Sequence, residues 1–119
     1  MKRILVVDDN EDVLEFIKLF LDMEGYRVHC IKDGKLLIDA VQSFSPNLIL
    51  IDIILGSVDG RTLCRMLKDI PCYAHIPIVM MSASYSINIL KDKDYGTNDF
   101  FEKPFDLDLF TQRIQELVA

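Results

Sequence analysis

The hydrophobic positions of this chain fall into two patterns that alternate from end to end. Continuous apolar runs occur at Ile4–Val7, at Leu48–Ile51 and from Ile76 through Met81. Unbroken runs of this length predict strands buried on both faces of a parallel sheet. Tyr26–Ile31 alternates, with Val28 and Ile31 apolar against Arg27 and His29, as an edge strand would. Asp99–Glu102 is a fifth strand candidate. Between these runs the spacing becomes helical. Val13, Phe16, Ile17, Phe20 and Leu21 share one helical face that Gly25 can terminate. Leu37, Ala40, Val41 and Phe44 repeat the pattern and stop before Pro46. Asp59 is expected to cap a helix carrying Leu63, Met66 and Leu67, and Asp106 a last helix carrying Leu107, Phe110, Ile114 and Leu117. Residues 84–95 are rich in poor helix formers (Ser84, Ser86, Asn88, Asp92, Asp94), so the fourth helix is expected to be short or irregular. Strict βα alternation predicts one α/β domain over residues 1–119: a doubly wound, five-stranded parallel sheet flanked by five helices.

Composition narrows the function. Half of the 119 residues are hydrophobic and the net charge is -6, which suits one globular domain and disfavours a nucleic-acid or anionic-membrane surface. The apolar run after Lys2-Arg3 stops within four residues at Asp8-Asp9, far short of a secretory core or a membrane span. A cytoplasmic location is therefore expected. Cys30, Cys64 and Cys72 lack metal-type spacing and are expected to be buried or half-buried thiols. His29 and His75 have no local ligand partner and read as ordinary strand and loop residues.

The candidate chemistry gathers at one edge. Asp8 and Asp9 follow the first strand, Asp52 ends the third, Ser82 follows the fourth and Lys103 the fifth. Ligands of open parallel sheets bind in the crevice beyond those strand ends. Singly, each residue has a structural explanation: Asp8-Asp9-Asn10 as a helix cap, Asp52 and Ser82 as turn residues, Lys103-Pro104 as a surface loop. Together they specify more. If the first and third strands are neighbours, three carboxylates converge. Two unit charges ~4 Å apart repel by about 4 kcal/mol at an effective dielectric of about 20, so a cation is expected. Oxygen-only ligands favour Mg²⁺, or Mn²⁺, over zinc. A carboxylate nucleophile, a metal, a lysine and a hydroxyl are the parts needed to form an aspartyl phosphate.

These segments, ILVVDDN, LILIDIILGSVDG, IVMMSA and DFFEKPF, resemble the receiver domain of two-component response regulators over essentially the whole chain. The resemblance implies a flavodoxin-like sheet of order 2-1-3-4-5 and a phosphoacceptor at Asp52. It implies Mg²⁺ held by Asp9 directly, by Asp8 through water, by Asp52 and by the Ile54 backbone carbonyl. It further implies phosphoryl binding by Ser82, Ala83 and Lys103, a switch formed by Ser82 and Phe100, and a cis peptide at Pro104. The implied donor is a histidine kinase or phosphotransfer protein. A downstream protein, or a second copy of the chain, would dock on the face made by the fourth helix, fifth strand and last helix. Neither nucleic acid nor a membrane is an expected partner. Gly56 stands where a proline is common, Tyr95 where a small residue is usual, and Ser82 where Thr is commoner. Two other functions compete. A small phosphohydrolase would also use an aspartyl phosphate, but Ile54 occupies the place of its second acid. A structural pseudo-receiver would not keep all five functional residues.

Overall fold

The computed structural model describes residues 1–56, 58–83, 97–103 and 106–119. Five strands form the main sheet: β1 (Arg3–Val7), β2 (Arg27–Ile31), β3 (Leu48–Asp52), β4 (Ile78–Ala83) and β5 (Asp99–Lys103). Every neighbouring pair is parallel, in the order β2-β1-β3-β4-β5. The predicted order is therefore the observed one. Four α-helices are present among the described residues: α1 (Glu11–Met23), α2 (Leu37–Phe44), α3 (Gly60–Lys68) and α4 (Leu107–Val118). The segment expected to form an irregular fourth helix, residues 84–95, lies outside the described residues, as does Pro104.

The continuous apolar runs exist because successive strand residues serve two different cores. Leu5, Val7, Ile49, Ile51, Ile78 and Met80 face α2 and α3, packing with Leu37, Val41, Leu63 and Leu67. Ile4, Val6, Leu48, Leu50, Val79 and Met81 face α1 and α4, packing with Ile17, Leu21, Phe110 and Ile114. Each such side chain contributes roughly 1.5–3 kcal/mol by leaving water. Pro77 sets the start of β4, which begins at Ile78 rather than Ile76. Proline has no N–H for a ladder, and the Ile76 N–H instead closes a turn onto the Tyr73 carbonyl (3.1 Å).

The helices appear where predicted but some are rotated. The buried seam of α1 is Leu14, Ile17 and Leu21. Phe16 lies 52% exposed, stacked on the half-buried Phe20 with ring centroids 6.5 Å apart. Apolar residues here outnumber the places that one face of a helix can bury, so periodicity alone misassigned the centre of the stripe. In α3, Cys64 takes the buried position expected of Met66. Cys72 is exposed in the following turn, unlike the buried or half-buried thiol expected, because that turn sends Tyr73 and Ile76 toward the core instead.

Side chains fasten the entry of β5. Asn98 Oδ1 accepts from the Ile78 N–H (2.9 Å) and from Lys68 Nζ (3.2 Å), and Lys68 also reaches the Ile76 carbonyl (2.7 Å). Arg113 of α4 donates to Asp99 Oδ2 (2.6 Å) and to the Asn98 carbonyl (3.3 Å). Among the described residues, no helix is long and apolar enough to cross a membrane.

Past β3 the chain forms a two-residue antiparallel ribbon, Ile54–Leu55 against Val58–Asp59. Asp59 then caps α3, accepting from the Arg61 N–H (2.9 Å). Gly60 sits hard against the strand exit, its N–H on the Ile53 carbonyl (2.6 Å), and a Cβ there would overlap the Asp52 carbonyl oxygen. That oxygen is backbone and cannot swing aside. Gly60→Ala is therefore expected to destabilise the fold by about 1–3 kcal/mol, the usual cost of overpacking. A urea midpoint equal to that of wild type would show that the ribbon yields freely.

Candidate functional site

Five of the predicted residues lie at or near the C-terminal ends of the strands. Asp8 and Asp9 stand just past β1, Asp52 closes β3 and Lys103 closes β5. Ser82, expected to follow the fourth strand, lies inside β4, one residue before its end. Asp8 leaves β1 with its N–H on the Ile31 carbonyl (3.2 Å), and its carboxylate is fully buried. Asp8 Oδ1 accepts from the Asn10 N–H (3.0 Å) and Oδ2 from Lys103 Nζ (2.8 Å). Asp52, the last residue of β3, accepts from the Ile54 N–H at Oδ1 (2.9 Å) and from the same Lys103 Nζ at Oδ2 (2.5 Å). Lys103 ends β5, so a single ammonium joins the exits of β1, β3 and β5.

Capping does not account for these acids. The first turn of α1 is capped by Asn10, whose Oδ1 accepts from the Asp12 and Val13 N–H groups (2.9 and 3.2 Å). Asp9 is exposed and turns the other way, its Oδ2 accepting from the Gly56 N–H (3.0 Å). The expected convergence of three carboxylates is thus only partly realised. Lys103 bridges Asp8 and Asp52, Asp9 is held by the ribbon, and among the described residues no three acid, His or Cys side chains come close enough to hold an ion unaided. A lysine cation takes the place between two acids because it can hydrogen-bond both at once.

The remaining residues lie around this core. Ser82 is buried on β4, and among the described residues its Oγ has no hydrogen-bond partner. Its neighbour Met81 pairs with Asp52 across the ladder, and Ser82 itself pairs with Glu102 of β5. A buried polar atom without a partner costs about 1–3 kcal/mol, and its retention calls for an explanation. The Ala83 backbone pairs with Lys103, and Phe100, half-buried, pairs with Met80 and packs on the α2/α3 core. Ile54 stands two residues past Asp52 and is 49% exposed.

Electrostatics sharpen the picture. Burial pushes the Asp8 carboxyl above the ordinary carboxylate range, although hydrogen bonds from Lys103 and the Asn10 N–H oppose it; the nearby Asp52 charge adds to the rise. For Lys103, burial works against the charge, but the hydrogen bonds to Asp52 and Asp8 outweigh it and hold the ammonium above the usual lysine value. Asp8 and Asp52 share one lysine, and Asp9 has only a main-chain amide as its hydrogen-bond partner among the described residues. The donors are all oxygens, the charge is uncompensated and a hydroxyl waits without a partner, a set that fits a hard divalent cation together with a phosphoryl group. Asp9, Asp52 and the Ile54 carbonyl are the residues that could hold the ion.

Two backbone donors escaped the sequence reading, the amides of Ile54 and Gly56. No side-chain motif encodes them. The visible signal was a glycine at 56 where a turn residue with an N–H was needed.

The profile of the response regulator receiver domain family matches residues 4–115. Among curated proteins, the chain is 36% identical over 123 residues to the DNA-binding dual master transcriptional regulator RpaA of Synechocystis sp., covering 99% of this chain and 49% of that protein. It is 34% identical over 116 residues to the response regulator PleD of Caulobacter vibrioides, covering 97% of this chain and 26% of that protein. The chain therefore spans about half the length of one relative and a quarter of the other. Among solved structures, a response regulator from Chloroflexus aurantiacus superposes with a TM-score of 0.91 at 28% identity, covering 99% of this chain and 98% of that one. The signal receiver domain of a histidine kinase from Syntrophus aciditrophicus gives 0.90 at 26% identity, covering 99% and 90%.

The buried Asp8 makes the fold sensitive to pH. Its folded pKa lies above the unfolded one, so stability falls as pH rises from the unfolded value, about 4, through the folded value. At neutral pH and in EDTA, Asp8→Asn should melt above wild type, and the gap should close as the pH is lowered toward about 4. Asparagine keeps an oxygen for the Asn10 N–H. A lower melting temperature at every pH would mean that the carboxylate is a net structural asset.

Proposed function

This chain belongs to the response regulator receiver domain family, and from that premise we propose that it is a Mg²⁺-dependent phosphoacceptor switch in which Asp52 takes a phosphoryl group from a histidine kinase or phosphotransfer protein. Receiver domains of two-component systems are signalling switches, and phosphoryl transfer to an aspartate is general to the family. The observation that carries the assignment to Asp52 is its carboxylate at the β3 exit, gripped by Lys103 and shared through that ammonium with the buried Asp8.

The chemistry follows from what each residue offers. A carboxylate oxygen of Asp52 attacks phosphorus, an O–P bond forms, and the P–N bond to the donor histidine breaks, its electron pair leaving on the imidazole nitrogen. The Ile54 N–H on Oδ1 fixes the orientation of the carboxylate for that attack. Lys103, already on Oδ2, is placed to follow the charge onto a phosphoryl oxygen, and Ser82 Oγ–H supplies a second donor. Bound Mg²⁺ would offset the negative charge shared by the acids and the transferring phosphoryl group. Rearrangement of Ser82 and Lys103 would be felt by Phe100, three residues before Lys103 on β5, and so by a surface that a downstream protein or a second copy of the chain reads. A cytoplasmic setting goes with this role.

Acetyl phosphate with Mg²⁺ should add one phosphoryl group, visible by intact mass spectrometry, and Asp52→Asn should abolish it. Labelling of that variant at the wild-type rate would sink the assignment.

The phosphorylated state should also be long-lived. Ile54 stands exposed beside Asp52 with an apolar side chain that cannot orient an attacking water. Ser84, the second residue behind this expectation, lies outside the described residues. Ile54→Glu or Ile54→Asn should shorten the phosphoryl lifetime about ten- to a hundredfold, at or below the lower end of what a positioned general base contributes. Equal decay in both variants and wild type would count against this role of Ile54.

A further inference from the structure

The residue that caps α1 uses only half of its side chain to do so. Asn10 Oδ1 takes both capping bonds, from the Asp12 and Val13 N–H groups, and these decide which way the amide faces. With the oxygen turned onto the helix, Nδ2 and its two hydrogens point away from it. Among the described residues that NH₂ group makes no hydrogen bond. Serine or aspartate would cap as well, so capping leaves the amide nitrogen unexplained. The same residue is tied to the phosphoacceptor machinery. Its N–H donates to Asp8 Oδ1 (3.0 Å), and the other oxygen of that carboxylate holds Lys103, which in turn grips Asp52. Asn10 and Lys103 also line one cleft of about 480 Å³, whose further walls include Val13 and Leu107 from the first turns of α1 and α4.

Phosphoryl transfer places the attacking and leaving atoms roughly in line through phosphorus. Asp52 is buried and Asn10 exposed. A donor that reaches Asp52 therefore keeps its leaving group on the solvent side, where Asn10 stands. We infer that Asn10 selects among small phosphodonors, its Nδ2–H donating to the leaving group and favouring one that departs as an anionic oxygen. When such a donor reacts, the O–P bond to Asp52 forms and the P–O bond to the leaving group breaks, its electron pair staying on that oxygen. The amide keeps its proton, and its hydrogen bond strengthens as the charge builds. An amine leaves as a neutral molecule and gains less. The apolar walls of the cleft, Val13 and Leu107, suit a short acyl chain, so the favoured class is the acyl phosphates. This rests on the phosphoacceptor reading above and adds to it the kind of small donor the site takes best.

The test uses the 119-residue chain in three forms: wild type, Asn10→Ser and Asn10→Thr. Serine and threonine keep an oxygen for the cap but carry no amide nitrogen. Each form is incubated with Mg²⁺ and one of two donors, acetyl phosphate, which releases acetate, or phosphoramidate, which releases ammonia. Rates of phosphoryl gain are followed by intact mass spectrometry. In Asn10→Ser the ratio of the acetyl phosphate rate to the phosphoramidate rate should fall about two- to tenfold, the usual size of one net hydrogen bond. A residue that only caps the helix would alter both rates alike or neither. A ratio equal to or above that of wild type therefore overturns the inference. Should the serine variant not fold, Asn10→Thr is read by the same ratio, with the same outcome on either side. A wild type labelled by neither donor would strike the phosphoacceptor reading itself, and the role of Asn10 with it.

Discussion

One ammonium group organises the functional edge of this domain. Lys103 Nζ touches Asp8 and Asp52 at once and so ties together the exits of β1, β3 and β5. Those strands are not consecutive in the chain, and the acids and the lysine lie up to 95 residues apart in sequence. Buried like charges would drive the strand ends apart, whereas a shared cation converts the repulsion into cohesion. The arrangement is stable and yet incomplete, since two acids share one lysine. Hydrogen bonds from buried cations are strong but transferable, and an incoming anionic group competes for the same donor. The contact that closes the resting site is thus the one a phosphoryl group would recruit.

Much of this was legible in the sequence, for a physical reason. A parallel sheet buried on both faces needs unbroken apolar runs, and those runs end where polar chemistry begins, so Ile4–Val7 followed by Asp8 and Leu48–Ile51 followed by Asp52 announce both the strands and the site. Less visible were matters that depend on direction rather than identity. The face α1 turns inward is centred on Ile17, because the sheet fully buries three of its many apolar residues and leaves Phe16 outside. The partner of Asp9 was hidden for a different reason. Its donor is a main-chain amide, available at every residue but proline, and only the φ of Gly56 and the pairing of the ribbon aim it. Whether Asp8 or Asn10 caps the first helix could not be read from the run Asp8-Asp9-Asn10, since aspartate and asparagine both cap well.

The same reasoning separates what Ser82 contributes from what a buried serine usually does. Buried hydroxyls ordinarily satisfy a neighbouring carbonyl, and this one has no partner among the described residues. Its neighbours on β4 are fully committed to the two cores, with Met80 on one side and Met81 on the other. The strand is therefore rigidly placed by apolar packing while its one polar atom remains unspent.

The fastening of β5 has a mechanical consequence. At its entry, Asn98 and Asp99 are bonded to Lys68, Ile78 and Arg113, that is, to α3, β4 and α4 together. At its exit, the strand's side-chain tie is the lysine held by two carboxylates. A rod clamped at one end and tethered electrostatically at the other behaves as a cantilever. Releasing or re-aiming the tether acts most on the tip at Lys103 and least on the base and its neighbour Phe100, with the β4 ladder holding the length between. The amplitude of any signal sent along β5 is then graded by distance from Asn98, and the hold on its base is set by four hydrogen-bonded side chains at the opposite end of the strand from the chemistry.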